Sequence, residues 1–186
     1  MTPRIMTVGS CMMDFVTVVD QAPASGETVF GREFAMIPGG KGFNQAVACM
    51  RMGASTSIVG RLGNDDFESV FSDLALAEKL DVTNLEIDPD HGTGVSLIIV
   101  DNNGENRIVA NPRANAYLGS SIVETAFERF QPDGLLMCHE VPDEPLVRAA
   151  HLAAAAQKLI VFNAAPAGPV PGELMRLVDV VIVNES

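Results

Sequence analysis

Residues 36–54 read MIPGGKGFNQAVACMRMGA, which places three glycines and a lysine in four consecutive positions ahead of a helical pattern. The pattern predicts a helix over residues 44–52, with Gly53 as its C-terminal stop. Lys41 is followed by Gly42 rather than by Ser or Thr, so the loop is not of the Walker A type. Backbone N–H groups freed by glycine beside a helix N-terminus, with an ammonium group nearby, suit an oxygen-rich ligand. We predict a cradle for hydroxyl or phosphate groups; the alternative is a tight turn with an exposed lysine.

On both sides of this stretch, apolar strand-like runs alternate with segments of helical period. The predicted strands are residues 4–8, 56–60, 135–138, 159–162 and 180–183, and further helices are predicted over residues 67–80 and 144–158. This alternation is typical of α/β proteins with a largely parallel sheet covered by helices. In such sheets the ligand crevice lies at the carboxyl ends of the strands.

Two segments, residues 27–37 and 94–109, depart from this alternation. The second carries a hairpin-like turn, Asp-Asn-Asn-Gly, at residues 101–104. We predict that both form β-structure outside the main sheet. The apolar run at residues 180–183 would leave an exposed strand, which predicts association or poor solubility.

Composition narrows the class of protein. The chain has 186 residues with 47% hydrophobic content, which suits a single globular domain. Its net charge of −12 and scattered basic residues argue against a nucleic-acid partner. No apolar run approaches the roughly 18 residues of a membrane span, and the N-terminus lacks the apolar region of a secretory signal, so we expect a cytoplasmic protein. The three cysteines and three histidines show no ligand spacing and predict no metal site.

Several short motifs occur along the chain. The strongest is Gly39-Gly40-Lys41-Gly42-Phe43-Asn44-Gln45-Ala46-Val47-Ala48, with Gly53-Ala54 closing the helix. The others are Gly9-Ser10 with Asp14, Gly26-Glu27-Thr28, Gly60 with Gly63 and Asp65, Thr93-Gly94-Val95, Gly104-Glu105-Asn106, Asn163-Ala164-Ala165-Pro166-Ala167, and Asn184-Glu185. In this order the motifs resemble those of the PfkB carbohydrate kinases, and within that family the ribokinase type. The resemblance covers nearly the whole chain.

The resemblance implies one ribokinase-like domain over residues 1–186, a three-layer α/β/α fold with a small β-sheet lid from about residues 15–38 and 93–112. It implies ATP-dependent phosphorylation of a sugar hydroxyl, with Mg²⁺, and a homodimer formed through the lid strands. The implied sugar-binding residues are Asp14, Gly40, Lys41, Asn44 and Glu140. Asn184 and Glu185 would belong to the phosphate and Mg²⁺ environment.

The chain also departs from the family pattern. Met12 stands where ribokinases carry a sugar-binding asparagine, so one hydroxyl contact is expected to be absent. The family's glycine-rich anion hole and catalytic aspartate have no counterpart in the sequence, so we assign no catalytic residue and expect an incomplete sheet. Losing these groups predicts negligible kinase activity for this chain alone. The alternative function is a non-catalytic sugar-binding or dimerisation module. A nicotinamide-dependent dehydrogenase is disfavoured, because the sequence has no dinucleotide-binding glycine fingerprint after its first strand.

Overall fold

The computed structural model describes residues 2–184. Along the chain the elements are β1 (Arg4–Val8), β2 (Met12–Val18), β3 (Glu33–Gly39), α1 (Lys41–Arg51), β4 (Ser55–Gly63), α2 (Phe67–Glu78), β5 (Asp81–Asp88), β6 (Gly94–Val100), β7 (Asn106–Asn111), a 3₁₀ helix (Arg113–Tyr117), α3 (Ser120–Phe130), β8 (Gly134–Cys138), α4 (Asp143–Ala155), β9 (Leu159–Asn163), α5 (Gly172–Leu177) and β10 (Val180–Ile182).

The main sheet has six parallel strands in the order β10-β9-β8-β1-β4-β5. Buried apolar side chains form a separate cluster on each of its faces. One cluster joins β1, β8 and β9 to α3, α4 and α5, and the other joins β4 to α1 and α2. The predicted α/β fold with a mostly parallel sheet between helices is confirmed.

A second, mixed sheet of four strands, in the order β3-β2-β6-β7, forms the lid. Strands β2 and β6 are parallel, and the two outer pairs are antiparallel. Only three residues, 9–11, separate β1 from β2, so the two sheets join directly there. This short connection places the lid over the carboxyl end of β1.

Helix α1 begins at Lys41, three residues before the predicted start at position 44. The reason is a contact distant in sequence. A Cβ on Gly42 would lie 2.4 Å from the carbonyl carbon of Gly9, so only a glycine lets the first turn of α1 approach the β1–β2 connection so closely. The amide of Phe43 then donates to the Ser10 carbonyl oxygen at 3.0 Å.

Strand β5 and helix α3 were not predicted. The fully buried positions of β5 are polar, Asn84 and Asp88, so its burial leaves no apolar signal. Helix α3 does carry such a signal, because its buried residues Val123, Ala126, Phe127 and Phe130 follow helical spacing. No helix within residues 2–184 is both long and apolar enough to cross a membrane.

Candidate functional site

A cavity of about 690 Å³ lies between the lid and the carboxyl ends of the central strands. Its walls come from the lid, the first turn of α1, the loop after β8 and the segments after β9 and β10. The lining residues are Met12, Asp14, Gly40, Lys41, Asn44, Ser96, Ile98, Ile108, Ala110, Glu140, Ala164, Ala165, Pro166, Ala167, Val183 and Asn184. The site therefore occupies the crevice expected of an open parallel sheet.

Strand register decides which lid side chains face the cavity. Asp14 is paired with Ser96 on β6, and Ser96 with Ala110 on β7, so these three residues form one row across the lid. Residues directly opposite each other in paired strands share a face of the sheet. The next row on that face includes the pair Ile98 and Ile108. The lid thus offers the cavity one polar row and one apolar row.

The Asp14 carboxylate lies against the backbone of Gly39. A Cβ built on Gly39 would fall 2.2 Å from Oδ2 of Asp14, so the carboxylate occupies space that any other residue at position 39 would need. The neighbouring Gly40 has a φ of +89°, in the left-handed region that favours glycine. Steric constraints thus require glycine at both position 39 and position 40. This supports a ligand-binding pocket floor rather than a simple turn.

Burial raises the pKa of Asp14 above its usual range. Hydrogen bonding with Ser96 opposes this rise, the nearby Glu140 carboxylate adds to it, and the Lys41 ammonium opposes it. Burial, the Ser96 hydrogen bond and the two neighbouring charges therefore set the ionisation of Asp14. An ionised Asp14 is an acceptor-only group that can take two hydroxyl donors.

Glu140 ties the loop after β8 to the N-terminus of α1. Its Oε1 lies 2.6 Å from Nζ of Lys41, and its Oε2 accepts a hydrogen bond from the Lys41 backbone N–H at 2.9 Å. The Ser10 hydroxyl also donates to Oε2. A carboxylate at a helix N-terminus is stabilised by the helix dipole and the free N–H groups. Glu140 therefore positions Lys41 and also forms part of the cavity wall.

Asn115, in the 3₁₀ helix, is a positioning residue behind the site that sequence reasoning missed. It is completely buried, its Oδ1 accepts from the Cys11 amide at 2.9 Å, and its Nδ2 donates to the Cys11 carbonyl at 2.8 Å. These bonds hold the connection from which β2, and with it Asp14, departs. No local pattern distinguishes Asn115 from a loop asparagine, because its partner is 104 positions away.

Asp65 and Thr93, which appear in two of the sequence motifs, hydrogen-bond to each other. Oδ2 of Asp65 accepts from the Thr93 amide at 2.7 Å, and Oδ1 accepts from the Thr93 hydroxyl at 2.8 Å. Oγ1 of Thr93 in turn accepts from the Gly63 amide at 3.0 Å. The motifs therefore fasten the start of lid strand β6 to the end of core strand β4.

The chain is similar to known proteins in both sequence and structure. A family model described as pfkB family carbohydrate kinase matches residues 2–186. The chain belongs to the pfkB family of carbohydrate kinases. Ribokinase from Haemophilus influenzae is 32% identical to it over 187 residues, which cover 100% of this chain and 61% of that protein.

Solved structures of ribokinases share the fold. Ribokinase from Thermotoga maritima superposes with a TM-score of 0.83 at 32% identity, over 97% of this chain and 59% of that one. Ribokinase from Cryptococcus neoformans in complex with ADP has a TM-score of 0.79 at 28% identity, over 90% of this chain and 53% of that one. The pfkB chain described here thus spans about three fifths of the length of the curated relatives that it matches.

The structure brings together the site residues that the sequence singled out in this pfkB family chain. The cavity of about 690 Å³ is lined by all the predicted site residues that the structure describes: Asp14, Gly40, Lys41, Asn44, Glu140 and Asn184. Glu185 lies outside the described residues. Met12, predicted to lack a sugar hydroxyl contact, also lines the cavity and is almost completely buried.

Proposed function

We propose that this chain carries the acceptor-sugar half of an ATP-dependent sugar kinase of the ribokinase type. The observation that supports it most is the convergence of Asp14, Lys41 and Asn44 on one cavity beneath the lid. A carboxylate, an ammonium and an amide supply both acceptors and donors for sugar hydroxyls. The lid would exclude water from the phosphoryl group during transfer.

ATP and Mg²⁺ are the proposed phosphate donor and metal. Asn184 and residues 164–167 line the cavity at the ends of β10 and β9, beyond the proposed sugar site. The side-chain carbonyl oxygen of Asn184 is a ligand of the kind that Mg²⁺ binds, directly or through water. Bound Mg²⁺ would neutralise charge that develops on the transferring phosphoryl group. We also propose a cytoplasmic location, which fits the use of ATP and the three free thiols.

We further propose that residues 1–186 alone bind sugar but transfer phosphate negligibly. Of the two carboxylates lining the described cavity, Glu140 is engaged by Ser10 and Lys41. Asp14 is the proposed ligand for sugar hydroxyls. Loss of general-base help costs roughly 10²–10⁴ in rate, and loss of one oxyanion donor about 10²–10³.

Calorimetry with Asp14→Asn tests the binding role. We expect the unmodified chain to bind a pentose, and the variant to lose at least tenfold in affinity because a neutral amide accepts hydroxyl donors less strongly. Asp73→Asn, at an exposed position on α2, is the matched control and should bind like the parent. Equal binding by Asp14→Asn and the parent would refute the assignment.

A coupled assay with ATP, Mg²⁺ and the same sugars tests the activity. Turnover at the rate of an ordinary kinase, about 1–100 s⁻¹, would contradict the proposed dependence on further groups. Binding without turnover at any Mg²⁺ concentration is the expected result. A non-catalytic sugar-binding module, the second candidate function, would bind sugar in the same way and would have no use for ATP or Mg²⁺.

We also propose a homodimer formed through the lid. The lid face opposite the cavity carries exposed apolar side chains on three strands: Phe34, Met36, Leu97 and Val109, which are 52–64% exposed. Register places Met36, Phe15, Leu97 and Val109 in one continuous row. Contiguous exposed apolar surface of this kind is typical of protein contacts. A second copy of the lid would cover the same patch by symmetry.

A further inference from the structure

Arg113 has a backbone conformation that arginine rarely adopts. Its φ is +45°, in the left-handed region where a residue with a side chain is strained. Within residues 2–184, the other non-glycine residues with positive φ are Lys79, Gln131 and Gln157, and each lies within two residues of the end of a helix, where this conformation is common. Arg113 instead begins the 3₁₀ helix, and it is exposed. Neither a helix end nor burial in the core therefore explains its conformation.

The Arg113 guanidinium lies against the backbone at the start of lid strand β6. Its Nη1 donates a hydrogen bond to the Thr93 carbonyl oxygen at 3.1 Å. A Cβ built on Gly92 would fall 2.0 Å from Nη2 and 2.4 Å from Cζ, so the guanidinium occupies space that any other residue at position 92 would need. A hydrogen bond from a charged donor is stronger than one between neutral groups. The strained backbone thus places a strong donor on Thr93.

The same contacts join the two ends of the β6–β7 hairpin. The chain enters this hairpin after Thr93 and leaves it at Pro112, one residue before Arg113. The Ala114 amide donates to the Gly92 carbonyl oxygen at 3.0 Å, so residues 113–114 hold residues 92–93 through both side chain and backbone. Strained conformations persist where the surrounding structure requires them, and they cluster at functional sites.

The β6–β7 hairpin supplies four of the residues that line the cavity of about 690 Å³: Ser96, Ile98, Ile108 and Ala110. Ser96 lies opposite Asp14 in the strand register and hydrogen-bonds to it. Thr93, which Arg113 holds, is only three residues before Ser96. The position of these cavity residues above the proposed sugar site therefore depends on how firmly the base of the hairpin is fixed.

We infer that Arg113 is a positioning residue for sugar binding, which holds the base of the β6–β7 hairpin so that the cavity residues of the hairpin are in place before the sugar binds. This inference rests on the proposed sugar-binding function. Arg113 is not among the residues that line the cavity, so it acts through Thr93 rather than by touching the sugar. Preorganisation of this kind increases affinity because less of the site has to be ordered on binding.

Arg113→Gly and Arg113→Asn remove the guanidinium and introduce residues that tolerate the left-handed conformation. We expect both variants to lose at least about threefold in pentose affinity by calorimetry, because the hairpin must then be ordered on binding. Their melting temperatures should stay within about 2 °C of the parent, since relief of backbone strain offsets the lost contact. Arg113→Lys keeps a charged donor and should bind within about twofold of the parent. A purely structural role would instead lower affinity and melting temperature together.

Lys79→Gly is the matched control, because it relieves the same left-handed strain at the end of α2, outside the lid, and should leave sugar affinity unchanged. Gly92→Ala is an independent test, because the new Cβ would displace the guanidinium while Arg113 is retained. We expect Gly92→Ala to lose as much affinity as Arg113→Asn, and the double variant to lose no more than either single variant. Additive losses, or parental affinity in both Arg113→Gly and Arg113→Asn, would overturn the inference and leave the proposed function standing.

Hydrogen exchange of the free protein, followed by mass spectrometry, measures how firmly the hairpin is held. The amides of residues 93–100 should exchange faster in Arg113→Gly than in the parent, whereas those of β8 should not change. Equal exchange of residues 93–100 in the two proteins would overturn the inference even where sugar binding is confirmed. Absence of pentose binding by the unmodified chain would overturn the proposed function, and the inference with it.

Discussion

Asp14 lies where burial and function make opposite demands. Burial raises its pKa, whereas recognition of hydroxyl donors needs the ionised carboxylate. The Lys41 ammonium, itself held by Glu140, favours ionisation. If Asp14 binds hydroxyl groups as proposed, the polar row of the cavity gives up stability for binding, as is common at functional sites.

Replacing Asp14 by Asn should raise the melting temperature more at pH 7 than at pH 4. Because the pKa of Asp14 is higher in the folded chain than in the unfolded chain, its contribution to stability is present at low pH and is lost as the pH rises through the folded pKa. The amide avoids this loss. Thermal melts of Asp14→Asn and of the control Asp73→Asn at both pH values measure the difference. An equal shift at pH 4 and pH 7 would show that ionisation of Asp14 carries no stability cost.

Gly39→Ala should impair sugar binding while leaving the fold intact. The added Cβ would meet Oδ2 of Asp14 at 2.2 Å, and because that oxygen ends a rotatable side chain, the carboxylate can move aside. We expect at least a tenfold loss of sugar affinity by calorimetry, with the circular dichroism spectrum unchanged. Gly172→Ala, where the nearest atom to the new Cβ is the distant guanidinium nitrogen of Arg176 at 3.9 Å, serves as control. Parental affinity in Gly39→Ala would mean that the carboxylate does not need its present position.

The connection between β1 and β2 is the element on which both sheets depend. It is only three residues long, and the Asn115 side chain holds Cys11 by both its amide and its carbonyl. At the neighbouring lid strand β6, Asp65 and Thr93 form a second attachment to the core. The lid is therefore held by hydrogen bonds at two separate places.

Asn115→Ala should lower the free energy of unfolding by at least about 2 kcal/mol. The substitution leaves the buried Cys11 amide and carbonyl without a partner, and each unsatisfied buried group costs about 1–3 kcal/mol. Urea denaturation followed by circular dichroism measures the change, with Asn103→Ala at an exposed lid turn as the control. A loss below about 0.5 kcal/mol would indicate that water replaces the side chain.

Across the whole molecule, the two sheets expose different surfaces. The main sheet buries apolar side chains on both faces. The lid turns one face to the cavity, and its other face packs partly on the core through Met13 and Phe15 and is otherwise exposed. Strand β10, at the edge of the main sheet, also keeps Val180, Val181 and Ile182 partly exposed. Both surfaces favour association, but the lid patch is wider because its exposed apolar side chains lie on three strands.

Leu97→Asp should convert a lid-mediated dimer to monomer. A charge in the centre of the apolar row would have to be desolvated at the interface without a partner. Sedimentation velocity across a range of concentrations reports the oligomeric state. Leu76→Asp, on the exposed face of α2, introduces the same charge away from the lid and should leave the dimer unchanged. If Leu76→Asp and Leu97→Asp behave alike, the lid is not the interface.

Local patterns in the sequence determined the class of fold. The buried strands β1, β8 and β9 are continuous or nearly continuous apolar runs, and α4 shows helical spacing, so their existence follows from short stretches of chain. Strand β5 was not predicted because its fully buried residues are polar. Asn84, for example, donates a hydrogen bond to the Ser57 hydroxyl on β4, which no local pattern reveals. The start of α1 depended on the packing of Gly42 against Gly9, which no local pattern contains.

The sequence alone also supplied the family and the chemical types at the site, because a glycine-rich turn before a helix is a local feature with a local physical meaning. Only the tertiary structure decided how those groups stand relative to each other. The Lys41–Glu140 pair spans 99 positions and the Asn115–Cys11 bonds span 104, so no local pattern contains either contact. The packing of the two sheets brings these residues together, since side chains far apart in sequence approach only when the whole chain has folded.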